Sequence, residues 1–231
     1  MKSSSIRWVA WAAVLVVACN KPKPSPPPPA DAGAAQVAAA TARPRPAPAP
    51  GETPLDIEKS RLSLSMVKDK DQDNPVTATM RMRDGAVSIG AGTARLTVDL
   101  DSFESNIHVR NERVRGIFFE TDAGPWDSAE VTIPKIPEDV LAAVRDKKRV
   151  SRAKLDGSVK LHGATAKLAM VIDAGFEDNG ALWIKTSQPV EVKVSDFALG
   201  ENLKKLSAAC KHDSIDDVVR IDVALELVPP P

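Results

Sequence analysis

Histidine and cysteine, the side chains that form most transition-metal sites in proteins, are scarce in this sequence. The chain of 231 residues has three histidines and two cysteines. His108, His162 and His212 stand far apart, and no H-x-x-x-H, H-E-x-x-H or C-x-x-C spacing occurs. Recognisable zinc sites use such spacings. We therefore expect no metal centre.

The signatures of common catalytic sites are lacking as well. There is no G-x-S-x-G nucleophile turn, no Walker loop and no G-x-G-x-x-G, and the short GAGTA stretch at Gly90 to Ala94 lies between predicted strands. Carboxylates are plentiful, but no pair stands out from a solvated surface as a glycosidase dyad would. The sequence gives no positive evidence for an enzyme, although catalytic groups could converge from distant strands.

Aromatic residues are few: the chain has no tyrosine, five phenylalanines and four tryptophans. The paired Phe118 and Phe119 end the segment HVRNERVRGIFFE, His108 to Glu120, which also holds three arginines. This mixture has three interpretations: a nucleic-acid patch, a surface helix leading into a core strand, or the edge of an apolar pocket.

The charge distribution argues against the nucleic-acid interpretation. The net charge is zero, but residues 1–50 hold six Lys or Arg and one Asp, which leaves 25 basic and 30 acidic residues in the remainder. Nucleic-acid binding needs a concentrated positive field. A mildly acidic domain does not supply one, so we expect no nucleic-acid partner.

No apolar run is long enough to cross a membrane as a helix, which takes about 20 residues. The run from Trp8 to Ala18 has 11 residues and follows Lys2 and Arg7, as in a secretory signal. It ends Val16-Val17-Ala18-Cys19, which resembles the bacterial lipobox. The resemblance implies a signal peptide at residues 1–18, removed before an acylated Cys19. An ordinary signal that happens to contain a cysteine is the alternative.

Residues 19–51 are predicted to be a lipid-anchored linker. Ten of the 19 prolines lie between Asn20 and Gly51, along with much of the alanine. Such a segment buries too little to order itself and extends at about 3.1 Å per residue, so it could span up to roughly 100 Å. These features place the remaining domain, residues 52–231, in the cell envelope, anchored through Cys19 and facing the periplasm. Asn20 is not the aspartate linked to inner-membrane retention, which favours the outer membrane.

The domain is predicted to be mainly β. Period-two alternation, which marks half-buried strands, recurs in many windows. Examples are RLSLSMV, VTATMRMR, ARLTVDL, AEVTIPKI, AKLDGSVKLHG, AKLAMVIDA, ALWIKTS, PVEVKVSDF and DVVRIDVALEL. Turn signals such as Asp84-Gly85 separate them. Eight or nine strands at hairpin spacing indicate an antiparallel barrel, with a two-sheet sandwich as the competitor.

Two helices interrupt the strands, and a third is a candidate. PEDVLAAVRDKK has acidic residues in its first turn and lysines at its end. LGENLKKLSAAC places Leu203, Leu206 and Cys210 on one face, so Cys210 is expected to be a small buried thiol without a disulfide partner. The third candidate is the segment at His108 to Glu120, interpreted as a helical turn that leads into a strand. Val114, Ile117 and one phenylalanine would face inward, with Arg113 and Arg115 in water.

Three stretches together resemble the YceI-like, polyisoprenoid-binding family. They are VDLDSFESNIHVRNERVRGIFFE, LDGSVKLHGATAKLAMVID and SDFALGENLKKLSAACKHDSIDDVVRIDVALEL. The resemblance covers about Leu55 to Leu227. The sequence departs from the family pattern in two places. The family's Arg-Asp pair is Arg110-Asn111 here, so the arginine loses a charge partner. The region from Ile133 to Arg152, with its charged helix, is a local variation.

The resemblance implies a lipocalin-like antiparallel β-barrel of about eight strands with two or three short helices, around a long apolar cavity. It also implies a bound isoprenoid quinone or other long-chain lipid and no covalent cofactor. Arg110 is the candidate donor to a polar head group. The candidate cavity residues are Phe103, Ile107, Val114, Phe118, Phe119, Trp126, Met170, Trp183 and Phe197.

The predicted function is therefore a membrane-tethered protein that holds an isoprenoid or similar apolar lipid without catalysis. Two alternatives stay open. One is a structural or interaction lipoprotein whose barrel is filled by its own side chains. The other is an enzyme acting on lipid-linked intermediates, which would need titratable groups converging inside the cavity. The oligomeric state does not follow from the sequence.

Overall fold

A computed structural model of the chain describes residues 47–229. It confirms a mainly β fold, a closed antiparallel barrel of eight strands with three α-helices. The signal peptide predicted for residues 1–18, the acylation of Cys19 and most of the linker predicted for residues 19–51 lie outside the described residues, and they stay predictions.

The barrel is built from eight strands, and two short strands lie at its rim. In chain order the strands are β1 (Thr53–Pro54), β2 (Arg61–Lys68), β3 (Val76–Ser88), β4 (Thr93–Glu104), β5 (Ser128–Ile133), β6 (Val150–Leu161), β7 (Ala164–Phe176), β8 (Leu182–Thr186), β9 (Val190–Lys193) and β10 (Ile215–Glu226). The helices are α1 (His108–Arg113), α2 (Glu138–Arg145) and α3 (Gly200–Cys210). A π-helix, Val114–Phe119, continues α1, and a 3₁₀-helix, Val194–Phe197, follows β9.

Each strand from β2 to β7 pairs with the next one along the chain. The last strand, β10, pairs with β8 on one side and with β2 on the other, which closes the ring. The two rim strands add to this ring, β1 on β3 and β9 on β10. A closed ring satisfies the backbone groups that an open sheet leaves at its edges.

The pairing register defines two ends of the barrel. Ile133 of β5 is opposite Ala94 of β4, so the hairpin between β3 and β4 lies with α2 at what we call the α2 end. Met66 is opposite Val76, and Lys68 is opposite Ile215, so the hairpin between β2 and β3 lies at the other end with the start of β10. The helices α1 and α3 pack together there, and we call it the α1–α3 end.

The alternation in the sequence places apolar residues inside the barrel. In β2, Leu62 and Leu64 are buried, and in β3 so are Ala78, Met80 and Met82, while the residues between them are exposed or half-buried. Two clusters of buried side chains result, one towards each end, and both consist of residues between Leu55 and Leu227. The core is thus complete within the barrel.

The helices α2 and α3 form where the sequence predicts them. Glu138 and Asp139 occupy the first turn of α2 and Arg145 the last, which complements the helix dipole. Val140 and Leu141 of α2 are buried against the α2 end of the barrel. Within residues 47–229, none of the helices combines the length and apolar character that crossing a bilayer demands.

The segment from His108 to Glu120 differs from its prediction. It does not feed a strand: α1 passes directly into the π-helix, and Glu120 then ends it in the left-handed region at φ 53°. Both Phe118 and Phe119 are buried, not one of them. The i→i+5 bonding of a π-helix reduces the rotation per residue, so adjacent side chains lie closer to one face.

The Asp84-Gly85 pair does not form a turn as predicted. Both residues lie inside β3, next to a register shift between Met82 and Asp84. An added Cβ at Gly85 would lie 3.2 Å from the Arg95 carbonyl oxygen and 3.2 Å from Leu55 Cδ2. Because Gly85 has no side chain, Arg95 and Leu55 can lie close to its backbone. Glycine often has this role at β-bulges, where the strand is irregular.

Candidate functional site

An apolar cavity of about 290 Å³ lies inside the barrel. Its lining comes from β2 to β10 and from all three helices, and it includes members of both buried clusters. At the α2 end, Val140, Leu141 and Val144 of α2 cover the cavity. The space therefore extends along the barrel rather than forming a local gap in the packing.

Phenylalanines gather around the cavity at the α1–α3 end. Phe103, Phe118, Phe119 and Phe197 all line it. The rings of Phe118 and Phe119 have centroids 4.8 Å apart, and those of Phe103 and Phe119 meet edge to face at 6.5 Å. Such tilted contacts are favourable for aromatic pairs. They give this end a rigid apolar wall.

Few polar residues belong to the described lining, and none of them is acidic. They are Lys68, Arg95, Arg110, Lys185, Thr186 and His212. The cavity can therefore offer donors to the head group of a ligand, while its walls contact only apolar groups.

Most of these polar side chains already have partners. Arg95 forms ion pairs with Asp84 and with Glu52, the latter at 3.1 Å, and the hydrogen bonds that it donates to Glu52 and Asp84 raise its pKa. Lys185 lies 5.4 Å from the centroid of the Trp183 ring. These two cations are thus held by neighbours.

At the α1–α3 end, His212 and Lys68 share a carboxylate. Asp69 Oδ2 lies 2.8 Å from His212 Nδ1 and 3.8 Å from Lys68 Nζ. Burial raises the pKa of Asp69, but hydrogen bonds from the Ser214 and Asp213 amides outweigh it and leave the pKa below its usual value. The ionised Asp69 therefore offsets part of the charge of Lys68 and lies within hydrogen-bond distance of the His212 ring.

Arg110 is different, because its guanidinium has no hydrogen-bond or ion-pair partner among the described residues. The residue is half-buried and lines the cavity at the α1–α3 end. A guanidinium carries five N–H donors in a fixed fork and stays charged at any physiological pH. An unpaired fork beside an apolar cavity is suited to a ligand oxygen.

Asn111, the neighbour of Arg110, points elsewhere and has a structural role. Its Oδ1 accepts hydrogen bonds from the Ser105 amide at 2.9 Å and from the Ser105 hydroxyl at 2.7 Å. Its Nδ2 donates to Glu104 Oε1 at 2.7 Å, which lowers the pKa of that carboxyl. The buried amide thus joins α1 to the end of β4 and does not pair with Arg110.

The structure brings together seven of the ten predicted ligand-binding residues. Those that line the cavity are Phe103, Arg110, Val114, Phe118, Phe119, Met170 and Phe197. Ile107, Trp126 and Trp183 do not line it. No bound ligand tests any of these assignments, which stay predictions.

The three residues outside the lining are held there by local geometry. Ile107 precedes α1 and is 44% exposed. Trp183 lies between Leu182 and Ile184, which do line the cavity, so strand alternation turns Trp183 outward. Trp126, in the loop before β5, stacks on the His162 ring with centroids 4.5 Å apart.

Sequence reasoning missed other lining residues, notably Lys68 and His212. For Lys68 a signal was present, because the inward face of β2 runs Leu62, Leu64, Met66 and then Lys68. For His212, in the turn between α3 and β10, no periodicity marks the position.

Methionines make the cavity adaptable. A volume of about 290 Å³ is near the lower end of the range for ligand sites, about 300 to 1,000 Å³. Met66, Met80 and Met170 all line it. Methionine is unbranched and changes rotamer easily, so a long chain can enter if these side chains move aside.

Two solved structures show a similar fold. A polyisoprenoid-binding domain from Saccharophagus degradans, implicated in plant cell wall breakdown, is 25% identical, with a TM-score of 0.65 over 78% of this chain and 99% of that one. Burkholderia cenocepacia BcnA is 16% identical, with a TM-score of 0.51 over 75% of this chain and 99% of that one. The second likeness concerns the fold alone. None of the curated proteins matches the sequence.

The sequence also matches the YceI-like domain over residues 55–227, which is the whole ring of strands from the start of β2 to the end of β10. The match covers most of the chain, and the closed barrel, the cavity and the similar solved structures agree with it. The chain therefore belongs to the YceI-like domain family.

Proposed function

We propose that this protein holds an isoprenoid or similar long-chain lipid in its barrel, without catalysis, while tethered to a membrane of the bacterial cell envelope. The tail would fill the apolar cavity, and Arg110 would donate to an oxygen of the head group. The observation that carries the proposal is the guanidinium of Arg110, which has no partner among the described residues, at one end of a predominantly apolar cavity.

The energetics of an apolar tail support this assignment. Each buried CH₂ contributes about 0.8 kcal/mol, so a prenyl chain needs no polar contact along its length. The walls of Val, Leu, Ile, Met and Phe supply that environment. A head group with oxygen acceptors then sets the orientation of the ligand through a single cluster of donors.

The alternative of a filled barrel predicts a solid interior. A cavity of about 290 Å³ with members of both buried clusters in its lining favours a ligand. An enzyme acting on lipid-linked intermediates would need an acid–base pair inside the cavity. No carboxylate belongs to the described lining, and Asp69, which lies 2.8 Å from His212 Nδ1, is outside it; this favours binding over catalysis.

The test of ligand binding uses residues 47–229 produced on their own, because the closed ring and the core are complete within them. Purified protein is extracted with organic solvent, and the extract is analysed by mass spectrometry. Delipidated protein is then titrated with a prenylated quinone in mild detergent. We expect a co-purified lipid or saturable uptake of the quinone, and protein that shows neither would refute the proposal.

Membrane tethering needs a separate experiment on the full chain. We expect cells that express it to incorporate labelled fatty acid into the protein, and the Cys19→Ser variant to lose that label. Fractionation then distinguishes the outer membrane, which the Asn20 position favours, from the inner membrane. An unlabelled wild-type protein would contradict acylation and leave lipid binding untouched.

A further inference from the structure

Two large apolar side chains, one at the N-cap of α1 and one in its first turn, are exposed. Ile107 is 44% and Val109 is 49% exposed. Within residues 47–229 the only other large apolar side chain so exposed is Val228, at 40%. A local pair of this kind is more informative than scattered single residues, since neighbouring exposed apolar groups mark contact surfaces.

The pair lies next to the cavity. Arg110 and Val114, which follow it on the same helical segment, line the cavity. Arg113 on α1 places Nη1 3.7 Å from Sγ of Cys210, another lining residue. The α1 segment therefore has one side on the cavity and another in solvent, at the end where the lining residues Lys68, His212 and Ile215 are only half-buried.

The charge of the segment is positive. Arg110, Arg113 and Arg115 form no ion pair with a carboxylate among the described residues, although Glu104 is close enough for Arg115 to lower its pKa. Glu112 pairs with His108 at 3.5 Å. Arg115 uses its N–H groups on the carbonyls of Asn111 and Asp101 and forms no direct ion pair within the described part of the chain.

We propose that α1, with Ile107 and Val109 as its apolar contacts and its arginines as the cationic rim, is the surface through which the barrel docks on an anionic bilayer to load its lipid. Short apolar side chains flanked by arginine are suited to the interface of a membrane with acidic head groups. This inference rests on the proposed lipid-binding function and adds where the ligand enters.

The attachment of the chain is compatible with this orientation. Thr53 pairs with Val87, so the described chain enters the barrel at the α2 end, opposite α1. A tether upstream must then be longer than the barrel, whose strands of 12 residues span about 40 Å. The linker predicted from the sequence could reach roughly 100 Å, which is sufficient.

The experiment compares matched variants of residues 47–229, which carry no acyl anchor. The test variant is Ile107→Ser with Val109→Ser, and the control is Val228→Ser, an equally exposed apolar residue at the α2 end. Each is floated with vesicles of phosphatidylethanolamine and phosphatidylglycerol, and with vesicles of phosphatidylcholine alone. Two further readouts are the rate of transfer of a prenylated quinone from the mixed vesicles and its equilibrium affinity in detergent.

We expect the wild type and Val228→Ser to float with the anionic vesicles, and the double variant to bind about tenfold less and to take up quinone correspondingly slowly. Its affinity for quinone in detergent should be unchanged. Equal flotation of all three proteins, flotation of none, or equal binding to neutral vesicles would overturn the docking inference while lipid binding stands. If the wild type did not bind the quinone in detergent at all, that result would instead refute the proposed function.

Discussion

Arg110 and Asn111 are adjacent in sequence, yet their side chains have different roles. Arg110 lines the cavity without a partner, while Asn111 is buried among Ser105 and Glu104. Asn111 is turned away from Arg110 and has a structural role of its own. It is the hydrogen-bond donor that the Glu104 carboxylate requires.

Substituting Arg110 by methionine should weaken binding of a lipid with a polar head by about tenfold or more, since a hydrogen bond to a charged group is worth about 1.5–3 kcal/mol. A prenyl hydrocarbon without a head group should bind the variant as well as the wild type. The measurement is titration of both ligands in detergent. Arg81→Met, at an exposed position outside the cavity lining on β3, is the control. Equal losses for both ligands would show that Arg110 only supports the wall.

Replacing Asn111 with aspartate should lower the melting temperature at neutral pH by a few degrees. The new carboxylate would face Glu104 Oε1, which now accepts the Asn111 amide at 2.7 Å. Like charges raise the pKa of one carboxyl above its unfolded value, so the loss should shrink as the pH falls and that group is protonated. Adding Glu104→Gln to Asn111→Asp should restore stability, and a double variant as unstable as the single one would contradict the explanation.

At the scale of elements, alternation in the sequence predicted strands β2 to β10 but not the two-residue strand β1. The charge pattern and the apolar spacing predicted helices α2 and α3. The errors fall where a backbone irregularity replaces a regular element. Asp84-Gly85 has the composition of a turn, but pairing with β4 keeps it in the strand. The π-helix after α1 has no sequence signature of its own, so the burial of both phenylalanines could not be predicted.

The site was predictable to the same extent. Period two predicts inward residues such as Met170, and it would have excluded Trp183, since both of its neighbours in β8 face inward. A helical projection puts Arg110 on the same side as Val114 and Phe118, but its place beside the cavity depends on how α1 packs against α3. Contacts between elements far apart in sequence leave no local pattern.

Two glycines should respond in opposite ways to alanine. At Gly157 in β6 a Cβ would lie 2.5 Å from the Thr132 carbonyl oxygen and 2.5 Å from Ile133 Cδ1 of β5. Gly157→Ala should therefore cost about 1–3 kcal/mol in free energy of unfolding. At Gly116, in the π-helix, no atom lies within 4 Å. Gly116→Ala should add about 0.4–1 kcal/mol, because alanine restricts the unfolded chain. Urea unfolding measures both, and similar values would contradict the assigned difference.

At the scale of the whole molecule, the cavity is the feature that the closed ring makes possible. Ala129 of β5 lines it, whereas Ala169 of β7 is exposed on the outer face. Ala129→Phe should fill the interior and reduce lipid uptake at least about tenfold, with little change in melting temperature because the added ring occupies empty space. Ala169→Phe should bind as the wild type does. Uptake of a prenylated quinone is the readout, and unimpaired binding by Ala129→Phe would place the ligand elsewhere.

The pH dependence of stability should reflect carboxylates on the outside of the barrel. Hydrogen bonds from the Arg152 amide to Asp173 and from the Asn111 amide to Glu104 lower the pKa of each carboxyl. Such groups stabilise the fold above their unfolded pKa, near 4, and this contribution disappears as the pH falls through the lowered folded pKa. We expect urea midpoints that are steady from about pH 5 to 8 and fall below about pH 4. The fall should be shallower in Asp173→Asn, and a constant midpoint throughout would contradict this.

The closure of the ring by β10 against β2 has a consequence for biosynthesis. Neighbouring strands from β2 to β8 are consecutive in sequence, so their hairpins can form as soon as both strands have been synthesised. The seam between β2 and β10 joins the first and last strands of the ring, and Leu55 bridges Leu227 beside it. The barrel therefore cannot close until β10 has been made. Until then the edges of β2 and β8 are unpaired, and other chains or chaperones can bind them.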